Sequence, residues 1–236
     1  ICDKMNMDKQ VIDIDSYMQE LSGHLFAHFP RRILYLGLQG SYGRGEATPD
    51  SDIDIFLVLD ILTIKDLDIY RQIINSMDYA DKSCGFICGR QELLNWNPGE
   101  ICQLSHETKD YWGQLKTLMP DYTDIDVINY IKRQVGDLYH QLCHQYIHGV
   151  DSYTLSELRQ SYKSVFYILQ NKYYLQKGNF VLSKKDLLSL LTGTDQQVCR
   201  KPSGFRKGLP RLQRRLHRAH RQAARHHLRH QSARGL

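Results

Sequence analysis

Fifteen residues constrain this chain more than any others: Gly40 to Asp54, reading GSYGRGEATPDSDID. An apolar run, Ile33-Leu34-Tyr35-Leu36, leads in, and a second, Ile55-Phe56-Leu57-Val58-Leu59, leads out. Short β-rich runs on either side of Gly, Ser, Pro and Asp predict strand, tight loop, strand. Along the second strand Ile53, Ile55, Leu57 and Leu59 point to one face, and Asp52, Asp54, Phe56 and Val58 to the other. The two carboxylates are therefore expected side by side, with roughly 6.5 to 7 Å between their Cα atoms. Asp is disfavoured within strands, and like charges this close repel unless a cation lies between them. A hard divalent ion, Mg²⁺, held by carboxylates together with substrate phosphates, answers both difficulties.

The loop before the pair supplies the other half of such a site. Gly40, Gly43 and Gly45 admit backbone conformations and close approaches that other residues do not. Backbone N–H groups and the Ser41 hydroxyl suit phosphate oxygens, and Arg44 adds a fork-shaped donor. No Gly-Lys-Ser/Thr follows, so this is not a Walker loop, and the dinucleotide glycine spacing is absent too.

Gly40-Ser41, ten residues, then Asp52-Ile53-Asp54 resembles the signature of the DNA polymerase β-type nucleotidyltransferase superfamily, and within it the small enzymes similar to aminoglycoside adenylyltransferases. Arg44-Gly45 and Ser51-Asp52 strengthen the match. The resemblance implies an enzyme that moves a nucleoside monophosphate, AMP from ATP, to a hydroxyl of a small acceptor such as an aminoglycoside, while the scattered cysteines argue for a reduced cytoplasmic protein. It implies Mg²⁺ on Asp52 and Asp54, and nucleotide contacts from Gly40, Ser41, Arg44 and Ser51. It leaves a homodimer open. Members commonly carry a third carboxylate on a later strand, where this chain offers Ser83, Cys84 and Gly85. Glu107 is the first choice for that acid or for the general base, ahead of Glu92 and Glu157. The gap keeps a second reading alive, a catalytically weak nucleotidyltransferase-fold protein acting as a binding or antitoxin-like partner.

The expected fold class is α+β, a small mixed β-sheet nucleotidyltransferase domain with helical cover followed by an all-α bundle. The boundaries read 1–120, 121–199 and a basic tail from 200 to 236, with Met119-Pro120-Asp121 as the junction. In the first domain Asp15 is expected to cap a helix carrying Met18, Leu21, Leu25 and Phe29 and ended by Pro30. Leu67, Tyr70, Ile74 and Met77 mark a crossover helix; Ser83 to Cys88 a third strand; Gln91 to Trp96 a short helix. From Thr123 the period becomes 3.6. Ile128, Ile131, Val135, Leu138 and Leu142 form one stripe, Thr154 to Glu157 a capping box before a second helix, and Ser183 the start of a third.

Net charge is +5, but from Arg200 onward there are twelve Lys/Arg, five His and no acid, so the first 199 residues carry 19 basic and 26 acidic groups. A mildly acidic body thus joins a strongly basic end. With no aromatic platform after Phe205, that end reads as a disordered extension or a frameshifted terminus rather than a nucleic-acid-binding arm. No run of eighteen apolar residues exists, the start is too polar for a signal peptide, and six scattered cysteines form no Cys-x-x-Cys pair. Cys84 and Cys88 are expected as small core residues. His140, His144 and His148 share one helical ridge, read as an exposed face rather than a metal site, and Arg133 with His140 resembles the Arg-x₄₋₆-His motif of HEPN ribonucleases only by a short match.

Overall fold

The computed structural model describes residues 11–148 and 155–200, with side chains left undescribed at 146 and 155–159. The capping box read at Thr154, the side chain of Glu157 and the tail from 201 onward lie outside the described residues. The chain divides into two compact units, one reaching Val127 and the other starting at Ile128.

In the first unit, α1 (Ile14–His28) precedes β1 (Ile33–Leu38), a one-turn α2 (Gly40–Gly43), β2 (Ile53–Leu59) and α3 (Ile64–Ser76). β3 (Ser83–Gly89), α4 (Arg90–Leu94), α5 (Pro98–Glu107) and β4 (Lys109–Trp112) follow. The sheet has the order β3-β2-β1-β4. β1 runs antiparallel to both β2 and β4, while β2 and β3 are parallel, so α3 is the crossover that parallel strands require. The sheet is mixed, as the α+β reading expected.

The alternation along β2 divides the core. Ile53, Ile55, Leu57 and Leu59 pack with Leu36 and Leu38 against Met18, Leu21, Leu25 and Phe29 of α1 and Ile73 and Ile74 of α3. On the other face Phe56, Val58 and Tyr35 pack with Cys88, Leu93 of α4, Ile101 of α5 and Leu115. Phe56 and Phe86, in register across β2 and β3, have ring centroids 5.1 Å apart.

Several local expectations needed correction. The cap of α1 is Asp13, whose carboxylate accepts from the Ser16 backbone, while Asp15 instead accepts from Tyr111 Oη at 2.6 Å and Lys109 Nζ at 3.3 Å. In α3 the capping residue is Thr63, and Leu67 is partly exposed while Ile73 is buried in its place. Cys88 is a core sulfur, its thiol pushed up to about 12 by burial, but Cys84 is exposed.

In the second unit, α6 (Asp124–His148, entering from the first unit), α7 (Leu155–Lys177), α8 (Lys184–Leu190) and α9 (Gly193–Cys199) enclose Leu138, Leu142, Tyr162, Val165, Phe166, Leu169, Leu187 and Val198. His140, His144 and His148 are exposed on α6. Among the described residues no helix is long and apolar enough to cross a membrane.

Candidate active site

The loop between β1 and β2 folds back on the strand it precedes. Gln39 donates its N–H to the carbonyl of Asp54 at 2.8 Å, carrying the antiparallel ladder one step past β1. Gln39 then caps α2, and Gly40 takes φ +65°, the left-handed region. A Cβ at Gly40 would overlap Asp54 Oδ2 and lie 2.7 Å from Asp54 Cγ. Glycine is required here twice, by backbone conformation and by the carboxylate resting against it. The amides of Gly40, Ser41 and Tyr42 head the turn, where N–H groups have no partner within the helix. A phosphate-sized anion is the natural match for such donors.

Asp54 is half-buried on the Phe56 face of β2, and Asp52, one residue before the strand, is exposed. The structure therefore joins Gly40, Ser41 and Asp54 in one cradle with Asp52 at its rim. Two carboxylates of unequal exposure offer hard oxygen ligands at the start of β2. No group of three or more His, Cys, Asp or Glu that could hold a metal exists among the described residues, so substrate phosphates and water must fill the remaining positions of an Mg²⁺ ion held here.

Arg44 and Ser51 serve the loop itself. The Arg44 side chain is 3 % exposed, its Nε 3.3 Å from Glu46 Oε2 and its Nη1 3.9 Å from Glu107 Oε2. Glu107, 7 % exposed, also accepts from Gln103 Nε2 at 3.2 Å. A Cβ at Gly43 would meet the Leu38 carbonyl at 2.8 Å and the Glu107 carbonyl at 3.5 Å, so the turn packs directly on the end of α5. Ser51 Oγ accepts from the Thr48 N–H at 2.9 Å and closes the turn ahead of Asp52. Lys82 Nζ, donating to the Pro49 carbonyl at 2.7 Å, ties the same loop to the start of β3.

The acid sought on the third strand has a definite place. Cys84 pairs in register with Asp54 on parallel β3, and paired residues of neighbouring strands project to the same face. Cys84 is exposed, and its backbone stands one strand spacing, about 4.8 Å, from that of Asp54. Glu92 is elsewhere. Its carboxylate lies over Gly89, which pairs with Leu59 at the opposite end of β2, about 17 Å along the strand from Asp54. Between Glu92 and Glu107, the sequence-named acids whose side chains are described, Glu107 is the one placed against the loop, and it is directed at Arg44.

Residues 28–83 match the family profile described as a nucleotidyltransferase domain. That segment, about a quarter of the chain, holds β1, the Gly40 turn, both aspartates and the crossover, and its match supports an enzyme of the nucleotidyltransferase class. Among solved structures, spectinomycin adenyltransferase AAD(9) from Enterococcus faecialis, crystallised with ATP and spectinomycin, is similar over 86 % of this chain and 98 % of its own, with 15 % identity and a TM-score of 0.55. At that identity the likeness is one of fold. A toxin–antitoxin structure with AMP-PNP covers 55 % of this chain and 93 % of its own at 20 % identity and a TM-score of 0.31, and the MntA-HepT toxin–antitoxin structure 55 % and 94 % at 16 % and 0.28. No curated protein matches the chain.

Proposed function

We propose that this chain transfers AMP from ATP to a hydroxyl group of a small acceptor. The observation that carries the reading is the contact between Gly40 and Asp54, which joins a turn with donors suited to phosphate and a carboxylate suited to a hard metal ion in one cradle. The transfer balances as follows: the acceptor oxygen forms a bond to the α-phosphorus, the bond from that phosphorus to the bridging oxygen breaks, pyrophosphate leaves, and the hydroxyl proton passes to a base. Asp52 and Asp54 would hold Mg²⁺, which, when bound, offsets the charge of the triphosphate and of the departing pyrophosphate. The Gly40–Tyr42 amides and the Ser41 hydroxyl would bind and orient the phosphates by hydrogen bonds aimed at developing charge. Arg44 and Glu107 fix the turn on α5, and Ser51 fixes the approach to Asp52. That AAD(9) was crystallised with ATP supports the choice of nucleotide.

A second reading is favoured by one feature, the thiol of Cys84 in register beside Asp54. It holds that the chain binds nucleotide and turns it over poorly or not at all. Incubation with Mg²⁺, α-labelled ATP and a panel of hydroxylated acceptors separates the two. Label transfer with pyrophosphate release, lost in Asp54→Asn, supports the transferase. Saturable Mg-ATP binding without transfer to any acceptor supports the second reading.

A further inference from the structure

Gln39 is bonded through its backbone to both halves of the cradle. Its N–H donates to the Asp54 carbonyl at 2.8 Å, and its own carbonyl accepts from the Gly43 N–H at 3.0 Å. The chain is extended at Gln39, with φ −117° and ψ −165°, and left-handed at Gly40, with φ +65°. The reversal from strand to turn therefore takes place between these two residues. Whatever holds the backbone of Gln39 also sets how the Gly40, Ser41 and Tyr42 amides face relative to Asp54.

The side chain supplies that hold. Gln39 continues the register that sets Leu38 opposite Ile55 on β2 and Lys109 on β4, which brings it between Asp54 and Thr108. Gln39 Nε2 donates to Thr108 Oγ1 at 2.9 Å, and Thr108 Oγ1 donates to the Leu104 carbonyl at 2.7 Å. With its one proton on Leu104, the Thr108 hydroxyl can only accept from Gln39, so position 39 needs a donor. The bonded residues are 69 positions apart, so this bond is no part of the turn's own local hydrogen bonding. Thr108 is the C-cap of α5 and follows Glu107, which Arg44 meets from the far end of the turn. Gln39 and Arg44 thus flank Gly40–Gly43 and pin it to two consecutive residues of the first unit.

Building on the transferase reading, we propose that Gln39 is a positioning residue: held by Thr108, it keeps the turn amides and Asp54 in the one alignment that lets both reach the same Mg-nucleotide. A binding constellation must be held to about 0.5 Å and roughly 10–20°. A swing at the joint between Gln39 and Gly40 would carry the amides away while Asp54 stayed in its strand.

Calorimetric titration of the full chain with ATP, with and without Mg²⁺, tests this at a temperature where circular dichroism shows every variant folded. Gln39→Met keeps the length and removes the donor, Thr108→Val keeps the shape and removes the acceptor, and Thr108→Ser keeps the hydroxyl. Gln39→Met and Thr108→Val are each expected to weaken Mg-ATP binding about tenfold. Their combination should weaken it no further, and Thr108→Ser should stay within about twofold of the parent. ATP without Mg²⁺ has no metal to join it to Asp54, so its affinity should fall by about twofold or less in each variant. Should Thr108→Val not fold, Gln39→Met compared with Thr108→Ser carries the test.

A merely structural bond would lower the melting temperature and leave Mg-ATP affinity unchanged among the folded variants, and that result overturns the proposal. So do losses that add in the double variant, or equal losses with and without Mg²⁺. A parent that transfers AMP, with variants that match its Mg-ATP affinity, removes the role of Gln39 and leaves the transferase. A parent that takes no Mg-ATP removes both.

Discussion

Arg44 Nη1 lies 3.9 Å from Glu107 Oε2, with both side chains withdrawn from water, and this pair joins the Gly40 turn to the last turn of α5. Glu46, 3.3 Å from Arg44 Nε, still faces the guanidinium when Glu107 is removed, so the loss is that of one buried charged contact, about 1–3 kcal/mol. Glu107→Ala is therefore expected to lower the melting temperature, and Glu107→Gln, which keeps shape and hydrogen-bonding capacity, less so. If Glu107 acts on chemistry only through Arg44, the Gln variant should raise KM for ATP more than it lowers kcat. A large fall in kcat with unchanged stability and unchanged KM would make Glu107 the general base instead.

Gly40 gives a sharper test of the cradle. Gly40→Ala must pay for a left-handed backbone, about 1–2 kcal/mol, and must also push the Asp54 carboxylate aside. The expected result is a modest loss of stability with a disproportionate loss of Mg-ATP affinity. Gly45→Ala is the control: its φ is +69°, but nothing lies within 4 Å of the added methyl, so it should cost similar stability and spare metal-dependent binding. Equal effects of the two on nucleotide affinity would show that the Gly40–Asp54 contact has no functional part.

Both halves of this cradle were legible in the sequence for a physical reason. Left-handed turns select glycine, and carboxylates in a strand are rare enough to signal a ligand, so Gly40, Ser41, Asp52 and Asp54 announce themselves locally. The alternation of β2 also foretold both layers of the core, since period 2 fixes faces without knowledge of partners. The setting of Arg44 was not legible, because Glu107 is distant in sequence and neither residue carries a mark of the other. α5 and β4 were missed together. Pro98-Gly99 resembles a loop, although Pro suits the first turn of a helix, and the four residues of β4 are too few to show a period. Cys84 was misplaced in the core because its identity suggests burial, whereas its register beside Asp54 puts it at the open end of the sheet.

Acid should weaken the joint between β1 and α3. Arg32 donates to both oxygens of Asp66, at 2.7 and 3.1 Å, and Thr63 completes a capping box with the same carboxylate. The Arg32 guanidinium, and after it the bonds from Thr63, hold the Asp66 carboxyl down at about 2. A carboxylate near 3.9 in the unfolded chain and lower in the folded one contributes fully above about pH 4 and loses that contribution as pH falls towards 2. Asp66→Asn should therefore destabilise the first unit at neutral pH by about 1–3 kcal/mol. The gap between parent and variant should close between about pH 4 and pH 2. Urea denaturation across that range measures it, and a gap independent of pH would mean that the carboxylate charge is not what stabilises the joint.

The last prediction turns on Cys84. It is exposed, shares the face of Asp54 and faces it across adjacent parallel strands, so an acid at this position would join Asp52 and Asp54 without any change of backbone. Cys84→Asp should have opposite effects with and without divalent ion. Without metal, a third carboxylate about 4.8 Å from Asp54 across the strands adds like-charge repulsion and should lower the melting temperature. With Mg²⁺ the same group supplies another hard oxygen ligand, so the loss should be reversed and Mg²⁺ affinity raised. Cys84→Asn separates ligand geometry from charge, since it has similar size and should show neither the metal-free penalty nor the metal-dependent gain. If transfer of labelled AMP is limited by the number of carboxylates at the metal, Cys84→Asp should raise kcat while Cys84→Asn leaves it unchanged. A melting temperature that responds to Mg²⁺ identically in parent, Asp and Asn forms would place the divalent site away from the Asp54–Cys84 row, and the metal roles of Asp52 and Asp54 would fall with it.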